Sequence, residues 1–440
     1  MSMYAKLVLR NAKRSAGDYL LYIVTLIVLS ALMMFSILLS IASSQNGLQA
    51  SSVPLLISLV MVVLLGYING YMLRRRAKEF AIYILLGMKK GHIGAVFFGE
   101  SLLLGLIGFV GGVVVGSLLF SLALSVLQSW FPITDNMPII YAVAAKDSLL
   151  YFGGIQVFSL LGCMSKIKKM QISGLLREGR RNQPPPVNPR PVFWSTLCAL
   201  CVVFDYVFVL LITSGHDLWM MIGVNVIIFP LVLGIWAFYK AAFHWLAWLR
   251  VHRRGVLYHG NRLYFVAQLL SKISSNVTLN TVLSACLLFS IMSFSVGAMI
   301  PIIPGLWLVA RTGIWMAFAQ ICLCIVFIVV YFSVLAVRQI IETKENRHAF
   351  RVMAYLGKTS DQRRGIIKRE VVLKYSTPAI MCMLILLLCA GPLNAYLNAF
   401  IPVDNLLLIT ISYFTGCFML LFGGYAVVAY RLCVRNLTQQ

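Results

Sequence analysis

Acidic residues are scarce in this chain. Only 13 Asp and Glu stand against 37 Lys and Arg in 440 residues, and 11% of the chain is charged. Soluble domains carry about 25% charged residues, so a water-facing globular surface is excluded for most of the length. The 6 histidines are scattered, and His252 and His259 lie in a basic stretch without a carboxylate cluster. No Ser-His-Asp set or paired carboxylates assemble from such a pattern, and the chain reads as having no catalysis of its own. A second CxxC is also missing. Cys198 and Cys201 form a lone pair on an apolar helix, whereas zinc needs four converging ligands. The cysteines, in or at the edges of apolar runs, read as small apolar fillers. One more absence removes a nucleotide site. The stretch AYLGKTS, 354–360, ends as a P-loop ends, but the required glycine five residues before Gly357 is Val352.

What the chain has in abundance is apolar sequence, 60% of all residues. Runs of about 20 apolar residues recur, the length that crosses a bilayer. The expected spans lie near 19–42, 53–73, 94–126, 147–165, 192–213, 219–243, 276–300, 313–337, 366–391 and 405–430. The fold class is therefore an all-α polytopic membrane protein with ten transmembrane helices. With both termini inside, all but Lys146 and Arg311 of the 37 Lys and Arg face the cytoplasm. Charge placed that way needs no nucleic acid as partner, and it attracts anionic membrane lipid. The first apolar run, after Lys6, Arg10, Lys13 and Arg14, exceeds the ~7–15 residues of a signal-peptide core and reads as an uncleaved span.

The chain resembles itself. LLGMKKGHIGAVFFGE, Leu85 to Glu100, aligns with YLGKTSDQRRGIIKRE, Tyr355 to Glu370. Phe80 and Phe350, Leu86 and Leu356, Gly87 and Gly357, and Glu100 and Glu370 all match at one offset. VLSALMMFS, Val28 to Ser36, aligns with VLSACLLFS, Val282 to Ser290, at a slightly smaller offset. This pattern predicts two parallel four-helix repeats, 1–165 and 263–440, around a two-helix insert, 192–262. A proline-rich cytoplasmic linker, 166–191, leads into the insert; its prolines favour stiff extended chain and cannot continue a helix.

Each copy carries a short basic stretch between two spans. In RRRAKEFAIYILLGMKKGHI, residues Phe80, Tyr83, Ile84 and Leu86 recur at helical spacing. Gly87 then suits a helix C-cap, and Lys89 and Lys90 suit the negative end of the helix dipole. In the second copy Phe350, Met353 and Leu356 make the apolar side. A single such helix would rest in lipid headgroups; two at matched positions point to two equivalent subunits below.

LRNAKRSAGDYLLY at 9–22, RRRAKEFAIYILLGMKKGHI at 74–93 and the second copy at 338–370 resemble the FtsX-like permease family, and within it the bacitracin-resistance ABC transporter permeases of Gram-positive bacteria. The resemblance implies a permease in the cell membrane that works by mechanotransmission. A separate ABC ATPase subunit holds the ATP and Mg, and no cofactor belongs to this chain. It implies two ATPase copies docked on two coupling helices, through Glu79, Phe80, Tyr83, Leu86, Gly87 and Met88 in the first copy and Phe350, Met353, Leu356, Gly357 and Lys358 in the second. It further implies antimicrobial peptides or amphipathic peptide and lipid substrates, hence resistance or export. The bacitracin-type permeases carry a large extracellular domain between spans 7 and 8. Here only IPIIPGLWLVART joins those spans, so the capture role of that domain does not carry over.

Other residues stand out on physical grounds. Gly108, Gly112 and Gly116 form overlapping GxxxG motifs and suit close helix packing. Glu100 and Glu370 sit where spans 3 and 9 begin and are candidate anchors of the coupling segments; Lys89 and Lys90, or Arg369 and Lys374, are the expected partners. Asp205 lies inside span 5, where a carboxylate is costly, and is a candidate intramembrane functional group. Two other functions stand beside the ABC permease: a regulatory membrane protein signalling to a membrane histidine kinase, and a secondary transporter.

Overall fold

A lipid solvent leaves backbone groups no partner except one another, so apolar runs of this kind fold as helices. The computed structural model describes residues 16–45, 52–127, 137–169, 190–213, 217–252, 262–302, 310–355, 360–398 and 404–438, and no β-strand occurs among them. The chain divides into two compact units, Met1–Arg181 and Asn182–Gln440.

The first unit holds α1 (Ala16–Gln45), α2 (Ser52–Arg75), the short α3 (Ala77–Leu85), α4 (Lys90–Leu127) and α5 (Met137–Lys169). Helix α1 is its buried centre and packs on α2, α4 and α5. Close approach of α1 and α4 depends on missing side chains. A Cβ added at Gly108 would lie 2.5 Å from the Leu26 Cβ, and one at Gly116 would lie 2.5 Å from the Ala31 carbonyl. A Cβ at Gly112 would overlap Ser30 outright. The outward face of α4, with Leu103, Ile107, Val110, Val114 and Leu118, is exposed and apolar, as a lipid-facing surface must be.

The second unit holds α6 (Pro191–Thr213), α7 (Asp217–His252), α8 (Arg262–Met299) with a single 3-10 turn at Ile300–Ile302, α9 (Ala310–Tyr355), α10 (Ser360–Asn398) and α11 (Leu406–Thr438). Helix α8 is its centre, packed on α7, α9, α10 and α11, while α6 lies along α7. Several polar groups between these helices are paired. Tyr239 and Ser284 share a hydrogen bond of 2.7 Å, Gln339 Nε2 donates to the Ala429 carbonyl at 2.8 Å, and Tyr425 donates to Gln339 Oε1 at 2.9 Å. The two aligned serines make like contacts. Ser30 on α1 reaches the Gly108 carbonyl of α4 at 3.1 Å, and Ser284 on α8 reaches the Pro378 carbonyl of α10 at 3.4 Å.

Among the described residues, 9 helices are long and apolar enough to cross a membrane, so the chain is an all-α, multi-pass membrane protein. The count differs from the expected ten spans at α10. There the apolar stretch is Ser376–Leu387, short of the ~20 residues a bilayer needs. The first half of α10 carries Arg363, Arg364, Lys368, Arg369, Glu370 and Lys374, which interrupt the apolar run.

Candidate functional site: a short helix held by a buried ion pair

Helix α3 is 9 residues long, and its two faces differ sharply. Ala77, Phe80 and Ala81 are buried, and Ile84 packs against them. Phe80, 2% exposed, meets Phe97 of α4 edge to face at 6.0 Å. The other side is apolar and open: Ile82 is 52% exposed, Leu85 66% and Leu86 79%. Tyr83 and Met88 are half-buried between the two faces. Phe80 therefore secures the helix from inside and is not on its outward surface, while Ile82 and Leu85 extend the surface that contains Leu86.

The helix stops where Gly87 adopts φ of +91°, a conformation that a side chain disfavours. The Gly87 N–H donates to Ile84 O and the Met88 N–H to Tyr83 O, each at 3.0 Å. These two bonds are the Schellman pair that satisfies a helix's last carbonyls. The turn delivers Lys89 and Lys90 to the start of α4.

The other end of α3 is held by charge. Between α2 and α3, Arg76 sits at φ −95° and ψ 2°, in the sparsely occupied bridge region. Its N–H still bonds to Met72 O at 3.2 Å and its carbonyl still accepts from Phe80 at 3.0 Å, so the chain bends here without unravelling. The Arg76 side chain is buried and forms an ion pair with Glu100 of α4. Its Nε also reaches Glu79 Oε2 at 3.2 Å, and its guanidinium lies 5.6 Å from the Phe80 ring centre and 6.0 Å from that of Tyr19. Glu79 sits in the first turn of α3, where a carboxylate also complements the helix dipole. Tyr19 of α1 donates its hydroxyl to the second oxygen of Glu100. Burial and that bond to Glu100 push the Tyr19 phenol well above its ordinary pKa. Burial opposes the charge of Arg76, but the Glu100 carboxylate outweighs it and raises the pKa of the guanidinium.

A neutral network begins one turn deeper. Tyr22 donates to Asn69 Oδ1 at 2.7 Å, Asn69 Nδ2 donates to Ser159 Oγ at 2.8 Å, and Gln156 Nε2 donates to the Tyr22 oxygen at 2.9 Å. These bonds tie α1, α2 and α5. Together with the Arg76–Glu100–Tyr19 cluster they connect α3 to every spanning helix of its unit.

The expected partners of Glu100 were Lys89 and Lys90; the structure gives Arg76 and Tyr19 instead. Lys90 opens α4, and ten helical residues put Glu100 about 15 Å further along, beyond lysine reach. Nothing in the local sequence singles out Arg76 from Arg74 and Arg75, because the pair forms between helices distant in sequence.

The second predicted segment is built differently. Phe350 and Met353 lie on α9, which runs unbroken for 46 residues. Their side chains lie outside the described residues, as do Leu356, Gly357 and Lys358 and the side chain of Glu370 on α10. Earlier on α9, Arg338 pairs with Glu342 of the same helix at 2.9 Å and donates to Asn280 of α8 at 2.6 Å, and nearer the end Val352 and Tyr355 are exposed. Gly108, Gly112 and Gly116 all face α1. Asp205 of α6 has a buried Oδ1 without a hydrogen-bond partner among the described residues. Cys198 and Cys201 pack α6 on α7, with the Cys198 sulfur 3.6 Å from the Gly234 carbonyl. No metal-binding group of three or more His, Cys, Asp or Glu occurs among the described residues.

The region that builds this site is also the region that a family model matches. Residues 51–171, which contain α2 to α5, match the FtsX-like permease C-terminal family. The class of protein is thus a multi-pass helical membrane protein whose first unit contains a stretch similar to the FtsX-like permeases. Over 304 residues, 63% of this chain, it is 23% identical to the bacitracin export permease protein BceB of Bacillus subtilis (strain 168), covering 45% of that protein. Over 118 residues, 25% of this chain, it is 29% identical to the bacitracin export permease protein BceB of Halalkalibacterium halodurans, covering 18% of that protein. The chain thus matches less than half the length of these curated relatives.

Proposed function

We propose that the chain is the permease subunit of an ABC transporter, driven by a separate ATPase that grips α3 from the cytoplasm. One observation carries this reading. A short helix presents Ile82, Leu85 and Leu86 outward, while its opposite face and its N-terminal Arg76 are locked into the spanning helices. A helix merely resting on lipid needs no such lock. A helix that transmits force does, because movement imposed at Leu86 must reach α1 and α4 through Glu100 and Tyr19. Glu79 and Phe80 serve this reading by holding the helix, and Gly87 by setting the turn. Leu86, with Ile82 and Leu85, forms the docking surface, and Tyr83 and Met88 border it.

The second seat is proposed at the end of α9 and the turn beyond it, through Phe350, Met353, Leu356, Gly357 and Lys358, so that one chain binds two ATPase copies. The internal alignment and the like contacts of Ser30 and Ser284 support two related four-helix units. ATP and Mg belong to the partner. ATP binding draws the two ATPase copies together, and the coupling helices pass that motion to the spans. The substrate class is amphipathic peptide or its lipid complex, by analogy with the relatives' bacitracin.

The test is co-purification of the full chain with its ABC ATPase. Replacing Ile82, Leu85 and Leu86 together by Asp is expected to abolish ATPase capture through the first seat while the chain stays folded in detergent. Undiminished capture, after the same treatment of Phe350, Met353 and Leu356, would sink the docking assignment.

A further inference from the structure

Helices α6 and α7 of the second unit pack along each other, and at one level three aromatic side chains gather beside the Lys240 ammonium. Lys240 Nζ lies 5.8 Å from the Trp194 ring centre and 5.5 Å from that of Trp236. The two indoles meet edge to face at 5.3 Å. His244, one turn beyond Lys240 on α7, stacks on Trp194 at 5.9 Å with its plane tilted by only 7°. Among the described residues no carboxylate forms an ion pair with Lys240. His244 Nδ1 is buried without a hydrogen-bond partner among them.

The position adds a second constraint. Trp194 belongs to the first turn of α6, which opens the membrane span Pro191–Phe208. That level is the boundary between headgroups and acyl chains, where tryptophans concentrate. First-turn amides of a helix have no carbonyl one turn earlier and favour an anion, and exposed Arg190 directly precedes α6. Around the cluster, Val192, Phe193, Leu200 and Val203 of α6 and Trp245 of α7 are exposed and apolar. The aromatic rings attract the ammonium but supply no counter-charge. An anion with an apolar body completes the arrangement.

We propose that Trp194, Trp236, Lys240 and His244 form a seat for the phosphate of an anionic lipid headgroup, in the leaflet at the N-terminal end of α6. The phosphate pairs with Lys240, the indoles wall the headgroup, and the acyl chains lie along the apolar face of α6. A soluble phosphate would find the same ammonium but no use for that apolar face. This seat is built from α6 and α7 of the second unit alone and stands independently of the ATPase reading.

Native mass spectrometry of the full chain in detergent tests it, with phosphatidylglycerol, phosphatidylcholine and inorganic phosphate as probes. Phosphatidylglycerol is expected to fill one site more tightly than phosphatidylcholine. Lys240→Ala should weaken phosphatidylglycerol about fivefold, the worth of one basic residue beside a charged bilayer, and leave phosphatidylcholine unchanged. Lys240→Arg should retain the preference. Equal binding of the two lipids, or an unchanged preference in Lys240→Ala, would overturn the proposal, and so would displacement of phosphatidylglycerol by inorganic phosphate. Should Lys240→Ala fail to fold, tryptophan quenching of the unmodified chain decides instead. Brominated phosphatidylglycerol must then quench more than brominated phosphatidylcholine, and equal quenching overturns the seat.

Discussion

Two arginines at helix–helix junctions of this protein find different partners, and the backbone follows each. Arg76 reaches across to Glu100 of another helix, and the chain bends at that residue. Arg338 pairs with Glu342 one turn along its own helix, and α9 continues through it to Tyr355. A charge that needs a distant partner must be aimed, and aiming it sets the backbone. Arg338 meets its carboxylate at i+4 and reaches only a neutral amide, Asn280, on another helix, which makes no such demand. The first unit therefore carries a helix jointed at Arg76, and the second carries one that is continuous at Arg338. The bend before α3 is pinned by Arg76 through its pairs with Glu100 and Glu79, whereas α9 runs on past Arg338 without a break.

Removing Glu100 should break this comparison most visibly. Glu100→Ala leaves the buried Arg76 charge without its main partner and should cost about 3–5 kcal/mol, measured by thermal unfolding in detergent. Glu342→Ala should cost clearly less, because Arg338 keeps Asn280 at 2.6 Å. Equal losses would erase the distinction between the two anchors. The double change Arg76→Met with Glu100→Leu should recover most of the stability while uncoupling ATPase stimulation from the spans.

A smaller effect is expected from the hydroxyls. Tyr19→Phe removes a donor to a carboxylate and should cost about 1.5–3 kcal/mol; Tyr425→Phe removes a donor to the neutral Gln339 amide and should cost about 1 kcal/mol. The helix contacts offer a similar contrast. Gly112→Ala inserts a methyl group into Ser30 and should cost about 1–3 kcal/mol. Gly416→Ala on α11 meets nothing within 4 Å and should be neutral or mildly stabilising. The smallest effect is at the turn. Gly87→Ala forces a side chain into the left-handed region for about 1–2 kcal/mol, whereas Gly91→Ala, at ordinary φ in open space, should not destabilise. Unfolding midpoints of these pairs, measured in one detergent, check all three contrasts.

Several features of the site were legible in the sequence because they depend on neighbours along the chain. The left-handed Gly87, the amphipathic run before it and the glycine face of α4 all follow from local spacing. The partner of Glu100 did not, since no periodicity links residues 76 and 100. The distribution of apolar side chains on α3 was only half legible. Phe80 and Leu86 read alike as apolar positions, yet one is buried against Phe97 and the other is open. Which of them turned inward depended on where α4 packs. The Trp194–Lys240 cluster was invisible for the same reason, its members coming from opposite ends of a helical hairpin.

Composition and spacing alone determined that this chain crosses a membrane as helices and that a helix stops at Gly87. Those outcomes rest on the transfer of residues between water and lipid and on local backbone geometry, which need no knowledge of the rest of the fold. Only the tertiary structure decided that Arg76 bends the chain toward Glu100 while Arg338 leaves its helix straight. An ion pair buried between helices exists only once those helices have been brought together, and its strength depends on the water their packing excludes.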